Sequence, residues 1–182
     1  MASTIKVDNI QDSGGNSYLS SDGAGTFTTS NLGIDNSPFI QVYLSSNQTL
    51  TNGQFDKLTF DSETYDTGSN FASNKFTVVT AGYYYIELKV DFDYSGEVPN
   101  DKKCKIQKNG SDAVDAMEFS QRVTTNDVLS ISTNRVFDMN GTTDYLETYV
   151  YQINYNGGAT RNLRPLASQR KFCTFGGHRI GS

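Results

Sequence analysis

Tyr83-Tyr84-Tyr85-Ile86-Glu87-Leu88-Lys89-Val90-Asp91-Phe92-Asp93 decides the fold class. Its even positions Tyr84, Ile86, Leu88, Val90 and Phe92 are apolar, and its odd positions are Tyr83, Tyr85, Glu87, Lys89, Asp91 and Asp93. Successive side chains of a strand point to opposite faces, so this period of two predicts one long strand with one buried face. The alternation returns from Tyr145 to Tyr155. There Tyr145, Glu147, Tyr149, Tyr151, Ile153 and Tyr155 share one face, and Leu146, Thr148, Val150, Gln152 and Asn154 share the other. Around these two lie shorter candidates at 39–44, 55–60, 76–79, 104–107, 128–139 and 172–180. Asn109-Gly110, Asn140-Gly141 and Asn156-Gly157-Gly158 punctuate them, and Asn-Gly favours tight hairpins because both central positions need positive φ. No stretch holds a helical period; 113–119 has room for one turn. Many short strands between turn residues predict an all-β sandwich or barrel.

Composition agrees. The 182 residues include 11 Phe, 11 Tyr and 16 Gly but 3 Pro and no Trp, a vocabulary of strands and turns. That length suits one domain with an appendage. Fifteen Lys and Arg against 20 Asp and Glu give a net charge of -5, which repels nucleic acid and anionic membrane, so neither is an expected partner. No apolar run approaches the roughly 20 residues of a membrane helix. The opening residues show no apolar segment of a secretion signal, so Cys104 and Cys173 are expected as reduced, non-catalytic thiols.

Charge is unevenly placed. From Gly157 onward there is no acidic residue, while Arg161, Arg164, Arg170, Lys171 and Arg179 are basic. A second run is Lys102, Lys103, Lys105 and Lys108. Each run reads either as a solvated strand edge, where lysine deters edge-to-edge pairing, or as a contact for an acidic neighbour such as another copy of the chain.

Residues 1–36 differ from the rest. They are rich in Ser, Gly, Asn and Thr, with short strand-like pieces at Ile5-Lys6-Val7, Tyr18-Leu19 and Thr26-Phe27-Thr28. Ile5, Val7, Ile10, Leu19 and Phe27 are too few and too spread to make a core, so this stretch reads as an arm that docks on a partner, or as a frayed terminus. On the first reading Ile5, Lys6, Val7, Ile10, Leu19 and Phe27 are the anchoring residues, with Ile5-Lys6-Val7 pairing against a partner strand. The expected organisation is thus an arm over 1–36 and a β domain over 37–182.

Catalytic chemistry has little to stand on. His178 is the only histidine, with no acidic residue near it in sequence, and reads as structural or solvated. Asp91-x-Asp93-x-Ser95-Gly96-Glu97 has the look of a calcium loop, but Lys102 stands where the bidentate Glu belongs. Asp61 and Glu63 are ordinary loop carboxylates. No catalytic residue, metal ligand or cofactor is expected, and the chain is not read as an enzyme.

Phe60-Asp61, Tyr65-Asp66-Thr67-Gly68-Ser69-x-Phe71, Phe76-Thr77-Val78 and Ala81-Gly82-Tyr83-Tyr84-Tyr85 follow one another in order. Asp144-Tyr145-Leu146-Glu147-x-Tyr149-Val150-Tyr151-Gln152 and Phe172-x3-Gly176 with Ile180 complete the series. Over 37–180 the chain resembles the tumour necrosis factor and complement globular-head superfamily. The resemblance implies a TNF-like jelly-roll β-sandwich that forms a homotrimer. Two departures are Met139-Asn140-Gly141-Thr142-Thr143-Asp144, where the family has a Gly-Asp pair, and His178-Arg179, where it has apolar residues. The opening Ser3 to Asp12, followed by Gly14-Gly15-Asn16, resembles the start of structural proteins of tailed bacteriophages, notably cyanophages. Together these imply a virion protein made in the host cytoplasm and carried on the outer particle surface. The expected role is a trimeric capsid decoration or cement protein whose arm binds the major capsid protein or another virion protein. The alternative is a tail-fibre or appendage tip that binds a host receptor or glycan. Tyr83, Tyr85, Tyr149, Tyr151 and Tyr155, on strand faces opposite the core, are the expected trimer interface, since exposed aromatic faces call for a partner.

Overall fold

Each long strand has one apolar face and can bury it only against a second layer, so two sheets close on each other. A computed structural model of the chain describes residues 8–24, 27–29, 38–93, 101–112, 119–120, 129–153, 161–163 and 173–181. The chain divides into two units, Met1–Asp35 and Asn36–Ser182.

The first unit is a small antiparallel sheet of β1 (Asn9–Gln11), β2 (Ser17–Ser21) and β3 (Phe27–Thr29), in that order. Asp12 builds the β1–β2 turn: its Oδ1 accepts the N–H groups of Gly14 and Asn16, both at 2.8 Å, and its Oδ2 accepts the Asn16 side-chain amide at 2.9 Å. The bond from the Asn16 side chain is the chief reason its carboxyl titrates below the ordinary aspartate value. Ile10, opposite Leu19, is exposed. Every buried core side chain among the described residues lies in the second unit. Of the expected anchoring residues, Ile5, Lys6 and Val7 lie outside the described residues.

The second unit runs β4 (Phe39–Tyr43), β5 (Thr49–Leu50), β6 (Gln54–Lys57), β7 (Ser62–Asp66), β8 (Phe71–Ala72), β9 (Lys75–Thr77), β10 (Gly82–Asp93), β11 (Asp101–Lys108), β12 (Ser111–Asp112), β13 (Phe119–Ser120), β14 (Leu129–Met139), β15 (Tyr145–Ile153), β16 (Arg161–Leu163) and β17 (Thr174–Gly181). One sheet has the order β5-β16-β10-β17-β4-β7, with β14 on the other edge of β10. The other has the order β12-β11-β15-β9-β8, with β13 also on β11. β6 lies alongside β15: the Gly53 N–H donates to the Gln152 carbonyl at 2.8 Å and the Leu58 N–H to the Thr148 carbonyl at 2.9 Å. No helix occurs among the described residues.

The predicted strand 83–93 is the centre of this arrangement. Tyr84, Ile86, Leu88, Val90 and Phe92 are all fully buried, beside Ile40, Val42 and Phe175 of the same sheet and against Phe76, Cys104, Ile106, Leu146 and Val150 of the other. Phe76 packs edge-on against Tyr84 and Phe175, with ring centroids 6.0 and 6.5 Å apart. Each such side chain contributes about 1.5–3 kcal/mol by leaving water. The Tyr84 hydroxyl, carried into the core, donates to the Thr80 carbonyl at 2.8 Å.

One odd position departs from the alternation. Asp91 is buried, accepting from the Ser130 hydroxyl across the β10–β14 pair, with the Lys89 ammonium 3.7 Å away. Its carboxylate is thus held by protein groups, and Ser95, Gly96 and Glu97 of the calcium-like stretch lie outside the described residues. Asp61 is likewise engaged, by the Ser45 N–H at 2.6 Å and the Ser45 and Ser46 hydroxyls at 2.9 Å. Burial works to raise its pKa, but these bonds outweigh it and hold it low.

The departure at 139–144 is a side-chain-built turn. Asn140 Oδ1 accepts the N–H groups of Thr142, Thr143 and Asp144 at 2.9–3.0 Å, and Asp144 returns the favour to the Asn140 N–H at 2.9 Å. Asp144 also accepts from Lys108 Nζ and from the Asn109 side chain, both at 2.7 Å, and the Lys108 bond leads in holding its carboxyl low. Gly141 has φ 70°, and a Cβ there would sit 2.3 Å from the Ala81 nitrogen. Gly141→Ala is therefore expected to lower unfolding free energy by roughly 1–3 kcal/mol, read from the denaturant midpoint.

Both cysteines are free and fully buried. Burial pushes the Cys104 thiol up to about 12. Native protein at mildly alkaline pH is expected to leave a thiol-specific chromogenic reagent unreacted, and denatured protein to titrate both thiols.

Candidate assembly and docking faces

With the core between the sheets, each sheet has one face left over. On the β10 sheet, Tyr83, Tyr85, Glu87 and Lys89 point outward beside Asp138, Val136, Asn134 and Ser132 of β14. β17 adds His178, Gly176 and Thr174 on the other side, β4 adds Phe39, Gln41 and Tyr43, and β7 adds Tyr65. Phe39 and Tyr65 meet edge-on at 5.2 Å, and Tyr85 lies against His178 at 6.0 Å. Phe39, Tyr65, Tyr83 and Val136, with Ile180 at the β17 bulge, are each 37–48% exposed. These side chains leave apolar and aromatic surface in water beside one another in the sheet.

Glycine shapes the middle of this face. Gly176 leaves the floor bare, and a groove of about 500 Å³ opens over it between Phe39, Gln41, Tyr65, Tyr85, Glu87 and His178. Its neighbour Gly177 points inward, where a Cβ would lie 2.2 Å from the Tyr85 carbonyl oxygen. The departure at His178-Arg179 thus divides between two sides of β17: His178 faces the groove, and Arg179 pairs opposite the buried Tyr84.

The outward face of the β15 sheet is built differently. Tyr145, Glu147, Tyr149 and Tyr151 point outward, with Lys105 opposite Tyr149 and Lys103 opposite Tyr151 on β11. Lys105 Nζ stands 4.2 Å from the Phe55 ring centre and 5.6 Å from that of Tyr149. Lys103 lies 5.5 Å from Tyr151, and Lys75 lies 4.0 Å from Tyr145. Phe55 itself packs on Tyr151 at 5.1 Å. Beneath the ammoniums, Glu147 is buried, 2.6 Å from Lys57 Nζ, 3.6 Å from Lys75 Nζ and 3.3 Å from the Tyr149 hydroxyl. Burial acts to raise the Glu147 pKa, but Lys57 and Lys75 prevail and hold it low. The Tyr149 phenol is raised, first by burial and then by the Glu147 charge.

The five tyrosines expected at one interface are therefore split. Tyr83 and Tyr85 lie on the β10 sheet, Tyr149 and Tyr151 on the β15 sheet, and Tyr155 lies outside the described residues. The non-core faces of two packed sheets look in opposite directions, so one copy does not present both pairs on one face. The run Lys102 to Lys108 is divided too. Lys102 points inward and is fully buried, which lowers its pKa, while Lys103 and Lys105 point outward and Lys108 holds the Asp144 turn. The sequence reading missed Phe39, Tyr65, Val136 and His178 on the first face and Phe55 on the second. The alternation of Phe39, Gln41 and Tyr43 marks Phe39 as outward, but the cross-strand neighbours carry no mark in sequence. Among the described residues no group of three or more His, Cys, Asp or Glu side chains could hold a metal ion, and no helix is long and apolar enough to cross a membrane.

No protein-family model and no curated protein matches the sequence. Solved structures do resemble the fold. Murine APRIL matches with a TM-score of 0.56 at 10% identity, over 78% of this chain and 98% of that one. The globular domain of a zebrafish complement 1qA protein matches with 0.51 at 15% identity, over 79% and 96%. Eiger TNF from S. frugiperda matches with 0.53 at 9% identity, over 79% and 92%. The chain has the jelly-roll fold of TNF and complement globular domains, as the resemblance implied.

Glu147 ties β6 and β9 to β15 through Lys57 and Lys75. A carboxyl with a lowered folded pKa adds stability that is present at neutral pH and is lost as pH falls. Glu147→Gln is expected to lower Tm at pH 7, and the gap to the unmodified protein is expected to close progressively below pH 4.5, the ordinary glutamate value. Thermal melts across that range read it.

Proposed function

We propose that this chain is a trimeric structural protein of a tailed-phage particle, most simply a capsid decoration protein, with the jelly roll as outer body and the N-terminal unit as anchor. The observation that carries the trimer is the exposed row Phe39, Tyr65, Tyr83 and Val136 on one sheet face, with Ile180 exposed at the neighbouring β17 bulge. Large aromatics remove roughly 150–250 Å² each from water, enough for a few of them to anchor a contact between copies. A cyclic arrangement repeats one contact and closes it without leaving a sticky edge. The particle assignment is supported by the opening Ser3 to Asp12 with Gly14-Gly15-Asn16, which is similar to tailed-phage structural proteins. The anchoring role is supported by an N-terminal unit with its own small sheet and no core side chain among its described residues. Engaged chiefly through packing, such a protein needs no catalytic group.

A second reading, a receptor- or glycan-binding tip, is favoured by the groove over Gly176, where two tyrosines, Glu87, Gln41 and His178 converge. Trimerisation through this face and ligand binding in its groove compete for the same residues.

Light scattering on pure protein is expected to give a trimer at micromolar concentration. Tyr83→Asp with Val136→Asp is expected to give folded monomer; an unchanged trimer removes this face from assembly. Deleting residues 1–35 is expected to leave a trimer that no longer decorates particles lacking the protein, as seen by electron microscopy. Decoration equal to that of the full chain overturns the anchor.

A further inference from the structure

We infer that the groove over Gly176 is a binding site for a neutral sugar, a hexose ring or two of a glycan chain. This rests on the second reading above and narrows its ligand to one chemical class.

Strand register builds the groove. In one row across the sheet, Glu87 of β10, Gly176 of β17, Gln41 of β4 and Tyr65 of β7 stand side by side. In the next row stand Tyr85, His178 and Phe39. Neighbouring strands lie about 4.8 Å apart, so Glu87 and Gln41 flank the bare glycine at a separation of about 10 Å. The volume of about 500 Å³ falls within the roughly 300–1,000 Å³ of small-ligand sites.

The polar groups around that floor are free to meet a ligand. Gln41, Glu87, His178 and the hydroxyls of Tyr65 and Tyr85 form no hydrogen bond or ion pair with another described residue. The groove between β7 and β8 differs, since Asp61 there is already held by Ser45 and Ser46. Amide, imidazole and hydroxyl groups both donate and accept, and a carboxylate accepts. A ligand that answers such a mixture carries several hydroxyls. The aromatic rings supply the other half of the match. Phe39 and Tyr65 meet edge-on and are 37% and 43% exposed, so ring face remains for the apolar C–H side of a sugar. Lysine ammoniums occupy the ring faces of Tyr145 and Phe55 on the opposite sheet, but among the described residues none stands over Phe39, Tyr65 or Tyr85.

Other ligand classes fit less well. The floor strand β17 is hydrogen-bonded along both edges, to β10 and to β4, so a peptide finds no main-chain edge to pair with. No Lys or Arg lines the groove and Glu87 is its one carboxylate, so a phosphate or an acidic sugar is repelled. A cationic side chain would meet Glu87 but leave Gln41 and His178 unanswered.

The test uses the full chain and saturation-transfer NMR. The neutral probes are maltotriose, mannotriose and galactotriose; trigalacturonate is the acidic probe and N-acetyl-arginine amide the cationic one. At least one neutral trisaccharide is expected to receive saturation at its ring C–H protons, and trigalacturonate none. Tyr65→Leu and Gln41→Ala are each expected to weaken that binding by about tenfold, and Phe55→Leu, on the opposite sheet, to leave it unchanged. Thermal melts confirm that each variant is folded; if Tyr65→Leu melts early, Gln41→Ala is read against Phe55→Leu. Equal weakening by Phe55→Leu makes the effect one of surface aromatics in general and overturns the groove. Binding of trigalacturonate as tight as that of the neutral sugars overturns the neutral class. Binding of the arginine amide that Glu87→Gln abolishes, with no binding of any sugar, overturns the sugar and keeps the receptor-binding reading. Sugar binding by Tyr83→Asp with Val136→Asp, but not by the unmodified chain, means that copies cover the groove, and overturns the sugar site together with the reading it rests on. Silence of every probe with both forms has the same consequence.

Discussion

β10 is hydrogen-bonded along both edges, to β14 on one side and to β17 and β16 on the other, and its even side chains are sealed against the second sheet. That leaves it one surface through which to meet anything else. The strands beside it inherit the same restriction, since a sheet has two faces and the core takes one. Any property of the β10 sheet beyond stability must therefore be expressed by its odd-position side chains and the neighbours in register with them. Tyr83, Tyr85, Val136, Phe39 and Tyr65 are those side chains, and water is a poor environment for so many at once.

The β15 sheet faces the same problem and meets it with charge. Its outward tyrosines and Phe55 are overlaid by lysines, which cover ring surface with their apolar stems while keeping ammoniums in solvent. One face therefore leaves apolar area uncovered, and the other covers its rings with charged side chains. The two respond oppositely to conditions. Excluded salts such as sulfate strengthen apolar association, whereas any salt screens an exposed ammonium over about 10 Å at 0.1 M. Ionic strength is thus a means of separating the behaviour of one face from that of the other.

How much of this was legible in the sequence follows from the range of each interaction. The alternation in 83–93 is local, and every even position in it is buried as read. The Asn109-Gly110 turn is local too, with φ 56° and 76° at its two central residues. Tyr149 and Tyr151 were read onto the correct side of their strand, but alternation says which face a residue takes and never which sheet the strand joins. Pooling them with Tyr83 and Tyr85 therefore mixed two opposite surfaces. Asp91, Glu147 and Lys102 were hidden for a related reason: each is polar, each is buried, and what holds Asp91 and Glu147 comes from distant segments, Ser130 for Asp91 and Lys57 and Lys75 for Glu147. Strands of two or three residues such as β5, β8 and β12 are too short to show any period, so they emerge only from pairing. Residues 1–36 stand apart in composition alone, whereas the hydrogen-bonded Asp12 turn inside them required the fold.

Placing the two faces on opposite sides of one sandwich has a thermodynamic consequence. Contacts that share no residue and lie more than about 7–10 Å apart add nearly independently. On the proposed reading, a trimer carries three N-terminal units. Weak contacts become strong when three act on one surface, because the second and third form at an effective concentration set by the first. On that reading the apolar row supplies the copy number, and copy number lets weak contacts through the N-terminal units hold the protein in place.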